Sequence, residues 1–327
     1  MNPFKSWFWW NKPKREWDLD LFKATATLGS MTLAGSLFNL LFHIVTSRKL
    51  GPEEYGVVGL SASILLGVTI AGLVSEMVIT RFISYYRTRS QVEMIYYLAI
   101  TALKVFGSIG LLAAVSMLVF HNQISNFFNM NSTSTILFLG VGVFICSIEP
   151  VINGTLRGLQ EFFQLSLIKL FEPFLRLLLV IALFILGFKT SGAVAAYALG
   201  TLGAFFIALR PLWKWRYLQA FKIKRRDILS YALPVSLVSV ALAILLYLDV
   251  LMAKHYLPKD LAGSYLALSM LFKIPYFISI SMASVFFPKV VEAFSTSDET
   301  AHYFKSIVKY FFISSGVLLL IFLVFSK

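Results

Sequence analysis

Lys169, Glu172 and Arg176 stand in an apolar stretch near 165–187 that holds no other charge. Spacings of three and four put all three on one helix face, where two cations can share the carboxylate. A charge at mid-bilayer depth costs about 2.5–3.5 kcal/mol on insertion scales, so such residues face a cavity or a partner. Two arrangements satisfy that condition. In one, the face lines a wet, net positive cavity where Arg176, the deeper cation, and Lys169 meet an anion. In the other, Lys169 snorkels to the interface above an ordinary buried Glu172–Arg176 pair.

Lys273 lies near the middle of a second apolar stretch, two residues before Pro275. Proline removes a backbone donor and kinks the helix, freeing nearby carbonyls. A lysine too deep to snorkel beside such a break suits contact with a phosphate, or else pairs with a carboxylate elsewhere in the bundle. His43 and Asp249 occupy equivalent places in the two copies of a repeat described below. With Glu172 they are the groups whose burial could couple a proton or a sodium ion. The alternative is hydration near the interface, with Asp249 stabilising a turn or pairing with Lys254. Glu76, Arg81, Lys104, Glu149 and Arg210 fall near predicted helix ends, where snorkelling or pairing accounts for them. No constellation for bond-making is present, so the chain is not read as an enzyme. His43, His121, His255 and His302 lack metal-ligand spacing, and the single Cys146 leaves no disulfide within the chain. Cofactors: none.

The elements that position these groups follow from composition. The chain is 58% hydrophobic and 14% charged, with a mean hydropathy of +0.78; soluble domains carry roughly 25% charged residues. Apolar runs long enough to cross a ~30 Å hydrocarbon core recur throughout. An all-α polytopic membrane protein is predicted, with about nine spans near 28–47, 57–80, 97–120, 135–153, 165–187, 191–210, 229–252, 264–287 and 307–325. The net charge of +13 does not mark a nucleic-acid partner, because the basic residues fall mainly in every second loop. That asymmetry puts the N-terminus in the cytoplasm. Residues 1–27 mix Trp7, Trp9, Trp10 and Trp17 with lysines and Arg15, as a membrane–water interface requires. Asp18-Leu19-Asp20 has the Asp-x-Asp form of metal-dependent glycosyltransferases but, with no soluble domain to hold a nucleotide-sugar, reads as a solvated turn.

A polar turn, Ser47 to Gly56, recurs about 206 residues later: Arg48 aligns with Lys254, Pro52 with Pro258 and, after one inserted residue, Gly56 with Gly263. Both copies leave from the cytoplasmic side, so two parallel halves related by an axis along the membrane normal are expected. The predicted organisation is a basic-aromatic segment over 1–27, a six-helix bundle over 28–210, a basic cytoplasmic connection over 211–227, and a partial second bundle of about three helices over 228–327. Ala196, Gly200 and Ala204 form a small-residue stripe suited to close helix packing.

Taken together, Arg48-Lys49-Leu50-Gly51-Pro52-Glu53-Glu54-Tyr55-Gly56, Gly154-Thr155-Leu156-Arg157-Gly158-Leu159-Gln160 after the fourth span, Leu248-Asp249-Val250-Leu251-Met252, Gly263-Ser264-Tyr265 and Phe287-Pro288-Lys289 resemble the polysaccharide flippases. These are O-antigen and lipid-linked-oligosaccharide translocases of the superfamily that includes the multidrug (MATE) exporters. The resemblance implies a MATE-like two-bundle architecture of twelve to fourteen spans. A chain ending at Lys327 is then expected to be shortened, with its second bundle half built. The basic cluster that lipid II flippases carry in the first two spans is absent.

The implied activity is movement of a polyprenyl-(pyro)phosphate-linked oligosaccharide from the cytoplasmic to the outer leaflet of the plasma (inner) membrane. Arg176, Lys273 and Lys169 would meet the phosphate, and Asp249, His43 and Glu172 would serve ion coupling. Membrane lipids, a polysaccharide polymerase and glycosyltransferases are the implied partners. The rival readings are a MATE-type drug or cation antiporter and a non-transporting scaffold of a glycan-assembly complex.

Overall fold

The computed structural model describes residues 14–130, 132–213 and 225–273, together with Lys309, Phe312 and Gly316. Trp7, Trp9 and Trp10, residues 214–224 of the predicted connection over 211–227, Pro275, the Phe287-Pro288-Lys289 motif and most of the ninth predicted span lie outside the described residues. In chain order the helices are α1 (Lys14–Ala71), α2 (Leu73–Thr88), α3 (Val92–Val119), α4 (His121–Phe127), α5 (Thr133–Leu159), α6 (Phe162–Ile185), α7 (Thr190–Trp213), α8 (Arg225–Tyr256) and α9 (Lys259–Phe272). Among the described residues there is no strand. Thr27–Thr88, Val92–Val119, Thr133–Leu159 and Ser236–Tyr256 are long and apolar enough to cross a membrane. The chain is an all-α, multi-pass membrane protein.

Helix α1 is two helices joined at the predicted turn. Gly51 has φ 74° and ψ 175°, a conformation only glycine adopts without strain, and Pro52 restarts the helix where its missing N–H costs nothing. The Tyr55 hydroxyl lies 3.1 Å from His43 Nδ1. Twelve residues of straight helix would hold them ~18 Å apart, so the chain folds back at Gly51.

Two compact units are distinguished. Ala34–Leu268 forms one. The other comprises Met1–Leu33 and Ser269–Lys327; within it the Ser30 and Thr32 hydroxyls donate back to the Thr27 and Leu28 carbonyls.

In the larger unit α5 is the centre, packed against α2, α3, α6 and α7. Its most apolar window is 67% buried, against 22% in α3 and α8, which present their apolar faces outward. The predicted fourth span ends at 153, but α5 continues to Leu159 and is stopped by Gln160 at φ 61°. The Gly154–Leu159 segment is therefore helix, not a following loop. Close packing on α2 explains the extension: Thr80 and Ser84 hydroxyls donate to the Gly154 and Gly158 carbonyls at 3.2 and 3.3 Å. A β-carbon on Gly154 would stand 2.6 Å from the Glu76 carbonyl oxygen. Gly154→Val is accordingly expected to cost about 1–3 kcal/mol through overpacking, read as a lower unfolding temperature in detergent.

Two predicted loops also fold. Residues 121–127 form α4, and α8 runs past the predicted limit of 252 to Tyr256. Lys254, placed by the sequence in an outer loop, is thus a helical residue only 2% exposed.

Candidate functional site

The three charges of α6 lie toward the inside of the first bundle, and what holds them there is local. Pro173 deprives the Lys169 carbonyl of its donor four residues on. Gly35 of α1 approaches that carbonyl so closely that a β-carbon would collide with it. On the other flank the small-residue stripe of α7 packs on α6: Ala196 and Ala204 are buried, and a β-carbon on Gly200 would lie 3.0 Å from Arg176 Cβ. This close approach fixes the rotation of α6.

Arg176 is 4% exposed and bonded through both terminal nitrogens. Its Nη2 donates to Glu172 Oε1 at 2.5 Å, and its Nη1 donates to Asn39 Oδ1 at 2.9 Å. The guanidinium plane sits 3.4 Å over the Tyr197 ring, a favourable cation–π contact. Glu172 Oε1 also accepts from the Thr201 hydroxyl at 3.0 Å. The expected Glu172–Arg176 bond is present.

Lys169 does not share that carboxylate. Its Nζ lies 3.2 Å from Glu149 Oε1 of α5, which also accepts from Asn153 Nδ2 at 3.2 Å. Glu149, Asn153 and Arg157 recur every four residues, and Arg157 Nε pairs with Glu76 of α2 at 2.8 Å. Glu76–Arg157, Glu149–Lys169 and Glu172–Arg176 therefore match charge for charge. This face carries no net positive charge from these groups, contrary to one of the two arrangements considered above. The sequence left Glu76 and Glu149 to snorkelling or pairing near helix ends, and both are paired; it did not name their partners, for which the four-residue spacing on α5 was the signal. Asn39, Asn153, Tyr197 and Thr201 carried none.

A small cavity opens beside these pairs, lined by Glu149, Asn153, Glu172 and Thr201 with Ile145 and Phe205 among the apolar groups. Among the described residues no cluster of three or more His, Cys, Asp or Glu side chains suits a metal ion.

His43 and Asp249 have parallel surroundings. Each is half-buried on the helix before its turn and bonded to a tyrosine after it: His43 to Tyr55, and Asp249 Oδ2 accepting from the Tyr265 hydroxyl at 3.3 Å. Lys273 stands one residue past α9, 9% exposed, its N–H donating to the Ser269 carbonyl at 3.2 Å.

A family model described as polysaccharide biosynthesis protein matches residues 21–294. The chain belongs to that family. No curated protein is a significant match. Among solved structures, the chain is similar to an inward-facing multidrug-resistance MATE transporter of the MOP superfamily. The TM-score is 0.70 at 20% identity, covering 91% of this chain and 73% of that one. An outward-facing MATE transporter of the MOP superfamily gives 0.62 at 21% identity, with 93% and 71% covered. A MOP-superfamily transporter from Pyrococcus furiosus, described by a binding pocket of reverse polarity that suggests a different function, gives 0.59 at 21%, with 91% and 70% covered. Likeness at this identity establishes the fold, which is MATE-like. This member of the polysaccharide biosynthesis family thus has the family and fold of membrane transporters.

Proposed function

We propose that the protein is a flippase that carries a polyprenyl-(pyro)phosphate-linked oligosaccharide from the cytoplasmic to the outer leaflet. The observation that carries this reading is the polysaccharide-biosynthesis match over 21–294 on a MATE-like fold. The cargo's head group is large, polar and anionic, so it needs an enclosed path; its polyprenyl tail stays in lipid. The two halves would rock about the basic connection over 211–227 to give alternating access. The distribution of lysine and arginine supports an N-terminus in the cytoplasm and the Pro52 turn on the outer side of the inner or plasma membrane. A polymerase and glycosyltransferases of glycan assembly would act before and after it.

Arg176, Lys273 and Lys169 are the cations proposed to meet the phosphate. The carboxylates beside Arg176 and Lys169 support a further role for these two in shaping the wall of the first bundle. Glu172, His43 and Asp249 are the groups proposed for coupling to a proton or sodium gradient, the last two moving with the tyrosines across their turns.

The test is reconstitution in vesicles with a fluorescent lipid-linked oligosaccharide. Lys273→Ala is expected to slow leaflet exchange about tenfold, the loss of one charge-assisted contact to phosphate, with Lys273→Arg largely restoring it. An unchanged rate in Lys273→Ala would remove the proposed contact. Gradient-driven export of organic cations in place of lipid exchange would instead establish the antiporter reading.

A further inference from the structure

Lys104 of α3 stands outside every pairing described above. Glu76, Glu149 and Glu172 are each matched inside the bundle, and among the described residues no carboxylate pairs with Lys104. Helix α3 begins at Val92, so Lys104 lies roughly 18 Å along its axis. Tyr96 and Tyr97, an aromatic pair that suits the membrane–water interface, precede it on the helix, Tyr97 by roughly 10 Å. Lys104 is exposed all the same, between apolar neighbours Val105 and Ile109 that are exposed too. Snorkelling lifts an ammonium by about one turn, roughly 5 Å, which leaves it beneath the tyrosines.

The face that carries Lys104 is laid out as a helix contact. Ile95, Ala99, Gly110 and Ala114 are buried, with Gly110 against Ser147 and Phe144 of α5. On the opposite side Tyr97, Thr101, Lys104, Ser108, Leu111 and Val115 follow one another in alternating steps of four and three. That is the spacing of the seam in a left-handed helix pair. Each of the six is exposed or half-buried. Lipid by itself calls for no such pattern. On α8, whose apolar window is equally 22% buried, the outward side chains Leu237, Val240, Ile244, Leu245 and Leu248 hold no polar atom.

We infer that this face of α3 binds a membrane-spanning helix of a different protein, one that carries an aspartate or glutamate level with Lys104. A lone cation in hydrocarbon is costly, and a carboxylate brought by a partner helix relieves both charges at once. Thr101 and Ser108, one turn to either side, offer hydroxyls to the remaining carboxylate lone pairs. Lipid phosphate stays at the headgroup level, outside the tyrosines. A second copy of the chain does not fit the face, because a twofold contact between α3 helices sets Lys104 against Lys104. Nothing in this contact depends on what the protein carries.

The test places the full chain in vesicles of zwitterionic lipid with a synthetic leucine-rich spanning peptide that bears one glutamate at the depth of Lys104. Association is read by energy transfer from the protein's tryptophans to a dye on the peptide. Wild type is expected to bind this peptide about tenfold more tightly than its glutamine counterpart, and Lys104→Leu to lose the difference. Lys104→Glu should invert the preference in favour of a lysine-bearing peptide, which a misfolded variant would not do. Equal affinity for the glutamate and glutamine peptides overturns the inference. Loss of the preference when anionic phosphatidylglycerol is mixed into the vesicles also overturns it, and assigns Lys104 to lipid phosphate. A second arm uses the membranes of the protein's own cell. A photo-reactive residue in place of Leu111, two turns along the same face, is expected to capture a spanning segment that mass spectrometry shows to hold an acidic residue. That adduct should vanish in Lys104→Leu. Capture of lipid alone, or of a span without a carboxylate, overturns the inference.

Discussion

Replacing Glu172 by alanine is expected to destabilise the first bundle more than any other single change on α6, by about 3–5 kcal/mol, the cost of leaving a buried charge uncompensated. Arg176 would keep Asn39 and the Tyr197 ring, but neither carries the negative charge that now lies 2.5 Å away. Thr201 would lose its acceptor on Glu172 as well. Combining Glu172→Ala with Arg176→Leu removes both charges and leaves apolar volume in their place. The double variant is therefore expected to be more stable than Glu172→Ala alone, a non-additivity that a thermal-unfolding cycle in detergent reads directly. Wild-type stability in Glu172→Ala would show that the carboxylate does not hold the arginine, and would return Arg176 to the cargo.

Gly263→Val is expected to have the other large effect, on stability. A β-carbon on Gly263 would collide with the Pro52 carbonyl oxygen, and one on Gly56 would stand 3.0 Å from the Gly263 α-carbon, so the two turns pack backbone to backbone. Overpacking there is expected to cost about 1–3 kcal/mol, read as a lower unfolding temperature in detergent. Gly263→Ala should fall between wild type and Gly263→Val. An unchanged unfolding temperature in Gly263→Val would mean that the turns yield to the side chain at no cost.

Much of the architecture was legible because it depends on local properties. Hydropathy over a window reports a span, and Gly51-Pro52 reports a break wherever it stands, since φ 74° is a glycine's conformation and Pro52 cannot donate. The i, i+3 and i+7 placement of Lys169, Glu172 and Arg176 likewise predicted one face and the Glu172–Arg176 bond. The same local reading misplaced Lys254, which it put in a loop beyond the span; helix α8 continues past that end to Tyr256 and buries it.

By itself, then, the sequence determined residence in the membrane, an all-helical build, the doubled turn and the face of α6 that bears charge. Tertiary structure alone decided what those features meet. Lys169 finds its carboxylate 20 residues away on α5, and Arg176 finds Asn39 137 residues away on α1. Gly56 and Gly263 proved to be partners and not merely equivalents. The physical reason is that periodicity sets the angle of a side chain about its own helix axis, whereas the angle of one helix to the next is set by backbone contacts at glycine and alanine, which hydropathy does not register.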